Sequence, residues 1–335
     1  MLGLARHRAS LALVAATALA CALALLVGIA VGAVRFPLTE ILNALVHPHA
    51  TGEVNRILWD LRVARVLLAA LVGASLAIAG TLLQGMLRNP LVDPYLTGTS
   101  AGAACAIAIG IALGVASPIL PLLAFIAALA TAALVAALAR TGAGISHERL
   151  ILAGISLSAL FAGIVTLVIL LSPTASTSLS ILAWLGGSLS GRGWPELRTA
   201  SVYALIGLIV AFALAPSLNA LRLGDARART LGIDVDKVQW GIVGASALLT
   251  AAAVSVSGIV GFVGLIVPHI VRRMLGSDAR LTLVASAFIG AIIVVLADTL
   301  ARSIVPPLEL PLGVLLSIIG VPAFVYIAFR RKRPA

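Results

Sequence analysis

Long apolar segments alternate with short polar breaks along almost the whole chain. Crossing the hydrocarbon core of a bilayer takes about 20 consecutive apolar residues in a helix, and most of the segments have about this length. The pattern therefore predicts an all-α, polytopic membrane protein, with residues 1–335 forming a single transmembrane domain of ten helices. The predicted spans are 11–34, 63–86, 95–116, 119–139, 150–171, 199–216, 239–257, 259–271, 281–301 and 311–329.

Composition supports the same class. Of the 335 residues, 61% are hydrophobic and 10% are charged, whereas soluble domains are about 45–50% apolar and about 25% charged. A soluble enzyme and a disordered chain are excluded. A disulfide scaffold is excluded as well, because the two cysteines both lie inside apolar segments.

The positive charge of the chain indicates orientation. The formal net charge is +11, but the cations sit at the ends of apolar segments and form no contiguous basic face, so nucleic acid is not an expected partner. Sixteen of the 23 cations, including a cluster at 330–333, fall on one side of the predicted spans and seven on the other. By the positive-inside rule both termini are predicted to be cytoplasmic.

Two kinds of chemistry are missing from the sequence. A phosphate-binding P-loop has the form G-x-x-x-x-G-K-[ST], and neither Lys237 nor Lys332 fits it. The centres of the ten apolar segments contain no Asp, Glu, Lys or Arg, the groups on which ion-coupled carriers commonly depend. We therefore expect no catalytic residue, metal site or cofactor, and a separate energy source for uphill transport. A stand-alone secondary carrier or channel is the alternative.

Two segments depart from the plain spanning pattern. Glycines at 258, 261 and 264 followed by Pro268 predict an interrupted helix beside a pathway, because broken backbone at membrane depth is tolerated where it lines a cavity or is buried in protein. On the cytoplasmic side, Gly224 and Gly232 bracket a short amphipathic helix in which Asp225 and Arg229 could pair. This helix fits either a lipid surface or a protein partner.

The segment 221–232 resembles the L-x-L-G-[DE]-x-x-A-R-x-L-G coupling segment of FecCD-type permeases, the membrane subunits of type II ABC importers for cobalamin, haem and ferric siderophores. Further stretches agree in order, and together they cover the chain from about residue 60 to the end. They are Leu61–Arg65, Arg88–Pro94 with Gly98–Gly102, Leu150–Gly154, Gly258–Arg272, and Glu309–Gly313 with Gly320–Pro322.

This resemblance implies partners and a location. It implies a second copy of the chain, two cytoplasmic ATPase subunits that carry ATP and Mg, a periplasmic or extracellular substrate-binding protein, and a multi-pass protein in the bacterial inner membrane. It also implies that segment 221–236 docks in a groove of the ATPase. The implied coupling residues are Leu221, Leu223, Gly224, Asp225, Ala228, Arg229, Leu231 and Gly232.

The resemblance also implies two other surfaces. Arg62, Arg65 and Arg302 match arginines that meet glutamates of the binding protein; snorkelling at the interface is the alternative. Ala64 stands where a proline is usual, which weakens this match. Residues of the implied cytoplasmic gate are Asn89, Pro90, Leu91, Ser146 and His147. The cargo stays open among ferric siderophore, haem, cobalamin and molybdate-type compounds.

Overall fold

The computed structural model describes residues 2–32, 34, 36–48, 52–142 and 144–329. Arg35 and the cations at 330–333, which contribute to the predicted charge asymmetry, lie outside the described residues. Ala33, in the first predicted span, also lies outside the described residues.

The described chain is almost entirely helical. A two-stranded antiparallel hairpin, β1 (Arg140–Thr141) and β2 (Gly144–Ile145), joins α6 to α7. The helices are α1 Leu2–Ala30, α2 Leu38–Val46, α3 Glu53–Arg56, α4 Ala64–Met86, α5 Thr99–Ala112, α6 Leu120–Leu138, α7 His147–Leu170, α8 Ala175–Leu185, α9 Trp194–Ala213, α10 Ala215–Leu221, α11 Asp225–Thr230, α12 Val235–Ser257, α13 Val263–Leu275, α14 Ala279–Ala301 and α15 Leu312–Phe329.

Each predicted apolar segment overlaps one of these helices. Seven helical stretches within the described residues are long and apolar enough to cross a membrane. One of them is longer than expected, because a π-helical turn at Ile57–Val63 joins α3 to α4. Helix α8 lies in a break that the sequence pattern left unassigned. The predicted interruption is present: α12 ends at Ser257, and α13 begins only at Val263.

Helices α4, α12 and α14 form the centre of the bundle and are the most buried candidate spans. They approach closely because small residues line their contacts: a β-carbon added to Gly73 of α4 would lie 2.1 Å from the carbonyl oxygen of Gly290 in α14. Close backbone approach at glycine is a general means of packing helices in lipid. Helix α7, by contrast, leaves most of its apolar surface uncovered.

The ends of the helices meet at two opposite ends of the bundle. At the first end, which we call the Arg65 end, the start of α4 meets the end of α14 through Arg65 and Asp298. At the other, the Arg88 end, the side chain of Asn219 in α10 accepts a 2.8 Å hydrogen bond from the backbone at the start of α14. The side chain of Gln239 in α12 likewise accepts one from Ile145 of β2, at 2.9 Å.

Candidate functional site

The predicted coupling segment forms a short helix at the Arg88 end. Leu221 and Ala228 are fully buried and fix the segment to the bundle, whereas Leu223 and Leu231 project outward with 56% and 63% of their surface exposed. Gly224 has a φ of 107° and Gly232 a φ of 80°, a region that glycine enters without steric cost. The two glycines thus set the turns on either side of α11.

The ion pairs of this segment reach other elements. The sequence spacing allowed Asp225 and Arg229 to pair with each other. Instead Asp225 pairs with Arg88 at 3.3 Å, and Arg229 pairs with Asp236 at 3.1 Å. The side chain of Gln239 adds a 3.3 Å hydrogen bond to Asp225. Helix α11 has only six residues, and its charged side chains reach neighbouring elements more readily than each other.

The predicted gate residues lie beside this segment. Helix α4 ends at Met86, as expected ahead of an Asn-Pro sequence, and the side chain of Asn89 accepts a 2.9 Å hydrogen bond from the backbone of Leu91. Leu91 is 60% exposed. Arg88, next to Asn89, forms an ion pair with Asp225, and this pair links the loop after α4 to the coupling segment.

The second part of the predicted gate is the start of α7. Ser146 caps this helix by accepting a hydrogen bond from the backbone of Arg149. His147 lies within electrostatic reach of both Asp225 and Arg88. Its Nε2 atom is buried and has no hydrogen-bond partner among the described residues. The structure therefore gathers the predicted gate and coupling residues at one end of the bundle.

The three predicted docking arginines gather at the opposite end, but two of them are buried. Arg62 donates to the carbonyl oxygens of Ile29 and Ala30, each at 3.1 Å, and also to Val34. Arg302 donates to the carbonyl oxygen of Gly28. Both arginines thus satisfy carbonyl groups at the C-terminal end of α1, which have no partner within the helix. This is a packing contact, distinct from the snorkelling considered as the alternative.

Arg65 is the centre of an ion-pair cluster. It makes bonds of 2.9–3.1 Å to Asp298 and of 2.9 Å to each carboxylate oxygen of Glu309. These hydrogen bonds hold the pKa of the Glu309 carboxyl below its ordinary value. Asp298 also pairs with Arg302 at 3.6 Å, four positions further along the chain. Sequence reasoning did not identify Glu309 as a partner of Arg65, because the two lie 244 positions apart along the chain.

A mostly apolar cavity of about 730 Å³ opens between α5, α7, α8 and the start of α13. Tyr95 lies in its wall, and its hydroxyl group both donates to the carbonyl of Val260 at 2.9 Å and accepts from the Val260 backbone nitrogen at 3.1 Å. These two hydrogen bonds anchor the interrupted stretch ahead of α13. Further residues in the wall are Asp93, Ser100, Ala104, Val165, Ile259 and Phe262.

The cavity wall is poor in groups that bind metal. Across the described residues, no three or more His, Cys, Asp and Glu side chains come together in a way that would hold a metal ion. Asp93 is the acidic residue in the wall; burial raises the pKa of its carboxyl to about 6, although its side chain accepts a hydrogen bond from the backbone of Tyr95.

Comparison with known proteins decides the family. Residues 19–330 match the FecCD transport family. The chain belongs to the FecCD transport family. It is accordingly a multi-pass membrane permease of ABC importers, and the family is one of transport and not of catalysis. The resemblance noted from the coupling segment and the ordered motifs is confirmed.

Individual FecCD-type relatives cover most of the chain. The hemin transport system permease protein of Yersinia pestis is 38% identical, over 84% of this chain and 86% of that protein. The Fe(3+) dicitrate transport system permease protein FecD of Escherichia coli is also 38% identical, over 84% of this chain and 88% of its own length. A solved inward-facing metal-chelate type ABC transporter superposes with a TM-score of 0.87 at 29% identity, covering 95% of this chain and 99% of that one.

Proposed function

We propose that this permease carries a bulky metal chelate inward across the bacterial inner membrane, driven by ATP hydrolysis in separate subunits. One observation carries the proposal: the short helix α11, flanked by the exposed Leu223 and Leu231, is linked to the loop after α4 by the ion pair of Asp225 with Arg88. A partner that grips α11 can thereby move the residues that close the passage.

The proposed coupling works through differential contact. A ligand or partner shifts a two-state equilibrium only as far as it binds the two states unequally. The exposed leucines give an ATPase groove an apolar grip on α11, and the Arg88 pair transmits a displacement of α11 to Asn89, Pro90 and Leu91. In this proposal ATP and Mg bind to the ATPase, and no cofactor binds to this chain.

The proposed assembly has a second copy of the chain, two ATPase subunits and an external binding protein. Ten of the helices then cross the bilayer, both termini are cytoplasmic, and the Arg88 end faces the cytoplasm. What supports this orientation is the excess of cations at one set of span ends. The exposed apolar surface of α7 is available to lipid and to the second copy.

We place binding-protein docking at the Arg65 end. Arg65 and Glu309 contribute charge to this end, with 12% and 33% of their side chains exposed. Arg62 and Arg302 are buried next to this surface and stabilise it by donating hydrogen bonds to backbone carbonyl groups at the end of α1. Exposed ion pairs contribute about 0–1 kcal/mol each, so such charges set orientation and association rate more than affinity.

For the cargo, the proposal follows the chemistry of the relatives, whose names refer to hemin and to ferric dicitrate. The cavity of about 730 Å³ is the contribution of one chain to the passage. Its apolar wall gives little selectivity, so selectivity among haem, ferric siderophores and cobalamin resides in the binding protein. Identifying the ligand that the cognate binding protein retains on purification tests this point.

The coupling proposal is tested by replacing the two exposed leucines. The double variant Leu223→Asp, Leu231→Asp removes the apolar grip on the ATPase. We expect co-purification of the ATPase and binding-protein-stimulated ATP hydrolysis to fall at least about tenfold, as loss of an interface hot spot does. Leu113→Asp is a matched control, since Leu113 is 77% exposed and lies at the end of α5, away from α11.

Normal ATPase binding and stimulation in the double variant would contradict the proposal. The control must keep wild-type activity for the comparison to count. Folding of each variant is checked independently by its elution in size-exclusion chromatography, because the substituted side chains point away from the bundle.

A further inference from the structure

Asp225 of the coupling segment is incompletely bonded. Its Oδ1 atom lies 3.3 Å from a guanidinium nitrogen of Arg88, but this oxygen is buried and accepts no hydrogen bond from the described residues. Its Oδ2 atom accepts one hydrogen bond, from the side chain of Gln239 at 3.3 Å. A carboxylate has room for several hydrogen bonds, and a buried oxygen that accepts none is costly. Asp225 therefore has acceptor capacity that this structure leaves unused.

The start of α7 lies next to Asp225, because one side chain bridges the two. The amide group of Gln239, which donates to Asp225, accepts a 2.9 Å hydrogen bond from the backbone of Ile145. Ile145 lies two positions before His147, the first residue of α7. The charges of Asp225 and Arg88 both act on the imidazole of His147. The imidazole is thus a neighbour of the Asp225–Arg88 pair.

The imidazole of His147 is incompletely bonded as well. Its Nε2 atom is buried and has no hydrogen-bond partner in the part of the chain that the structure describes. In the tautomer with hydrogen on Nε2, this atom is a donor, and Oδ1 of Asp225 is an acceptor. Buried polar atoms are ordinarily satisfied. A neighbouring donor and acceptor that are both unsatisfied therefore indicate a bond made in another conformation.

The present partner of Asp225 has a strained backbone. Arg88 has a φ of 52°, in the left-handed region that is unfavourable for a residue with a β-carbon. Its guanidinium group packs on Gly224, where an added β-carbon would lie 3.3 Å from Nη1. Strain of this kind persists only where the surrounding contacts impose it, and it is common in switch regions. Breaking the pair with Asp225 removes one of those contacts.

We infer that Asp225 exchanges partners between two states of the permease, bonding Arg88 in the state of this structure and Nε2 of His147 in the other. The inference rests on the proposed function, in which the ATPase moves α11. In the first state α11 is linked to the loop after α4, and in the second it is linked to the start of α7. The exchange supplies the unequal contacts that a two-state coupling mechanism needs. His147 is accordingly a positioning residue, which acts through Asp225.

Thermal unfolding of the purified chain tests the contact with His147 in the absence of the ATPase. Arg88→Ala leaves His147 as the available partner of Asp225, so the effect of His147→Ala should depend on residue 88. We expect His147→Ala to lower Tm by less than about 1 °C when Arg88 is present, and by about 2 °C more than this in the Arg88→Ala background, as loss of a hydrogen bond to a charged group does. His147→Gln should restore Tm in that background, because the glutamine amide also donates. Equal shifts in both backgrounds would overturn the inference.

Cysteine cross-linking in the complex with the ATPase tests whether nucleotide drives the exchange. One variant combines Asp225→Cys with Arg88→Cys, and the other combines Asp225→Cys with His147→Cys. On addition of ATP and vanadate, we expect the yield of the 225–147 cross-link to rise at least about threefold and that of the 225–88 cross-link to fall, as in a population shift between two states. The native cysteines, Cys21 and Cys105, are both buried.

A matched control pair lies at the Arg65 end. Arg192 and Glu196 form an ion pair at 3.9 Å, and Arg192→Cys with Glu196→Cys should cross-link equally with and without nucleotide. Unchanged yields for both Asp225 pairs would overturn the exchange. If the ATPase still requires Leu223 and Leu231 for binding, that result leaves the proposed function intact; if it binds without them, the proposed function fails as well.

Discussion

The ion-pair cluster at the Arg65 end allows a quantitative prediction, because Arg65 has two carboxylate partners in different environments. Asp298 is 1% exposed and lies at 2.9 Å from Arg65 and 3.6 Å from Arg302. Glu309 bonds Arg65 at the same 2.9 Å, but a third of its side chain is exposed. The distance to Arg65 is therefore matched, and the two carboxylates differ in burial and in the second arginine, Arg302, that Asp298 contacts.

The two neutralising substitutions should have unequal costs. Removing one partner of a buried pair costs about 3–5 kcal/mol, because it leaves an uncompensated buried charge. Removing one partner of an exposed pair costs about 0–1 kcal/mol. We expect Asp298→Asn to destabilise the chain by about 3 kcal/mol through the loss of compensation for Arg65 and Arg302. Glu309→Gln should cost about 1 kcal/mol or less.

Thermal unfolding of the purified chain in detergent measures the difference. The entropy of unfolding is about 2.1 cal/mol/K per residue, so for 335 residues 1 kcal/mol corresponds to about 1.4 °C in Tm. Asp298→Asn should therefore melt about 3 °C below Glu309→Gln. Equal shifts for the two variants, or a larger shift for Glu309→Gln, would refute the reasoning that burial decides the strength of these pairs.

Further predictions concern pH and packing. Burial raises the pKa of Asp93 to about 6, above its ordinary value of 3.8, so the folded chain binds a proton that the unfolded chain releases. Its stability should rise as pH is lowered from 7.5 towards 5, and Asp93→Asn should flatten this slope in melting curves. Gly73→Val should cost at least about 3 kcal/mol, because its β-carbon would fall 2.1 Å from the carbonyl oxygen of Gly290. Gly163→Val, with nothing within 4 Å of the added carbon, should fold normally; equal yields of the two glycine variants would contradict the packing argument.

Local pattern accounts for much of the fold. Apolar length located the helices, and glycine with proline located the interruption ahead of α13, because both signals act within one segment. Helix α8 was not predicted, because Ser and Thr fill most of its first half and its apolar part is short. Position along the chain does not determine which segments pack together, and so the central place of α4, α12 and α14 could not be predicted.

The sites divide in the same way. The end at which each predicted residue lies follows from alternation of the spans, and the gate and coupling residues do meet. The ion-pair partners of these side chains could not be predicted, because Arg65 meets Asp298 and Glu309 only through the tertiary fold. The spacing of Asp225 and Arg229 allowed a local pair, but contacts with other elements take its place.

The central claim is that the chain is a passage moved by a separate ATPase that grips α11. Proteoliposomes test it most directly, by comparing uptake of the cognate chelate, delivered by its binding protein, with and without the ATPase and ATP. We predict accumulation against a gradient only when the ATPase and ATP are both present, and its loss in the Leu223→Asp, Leu231→Asp variant. Accumulation by vesicles that hold this chain alone would contradict the claim.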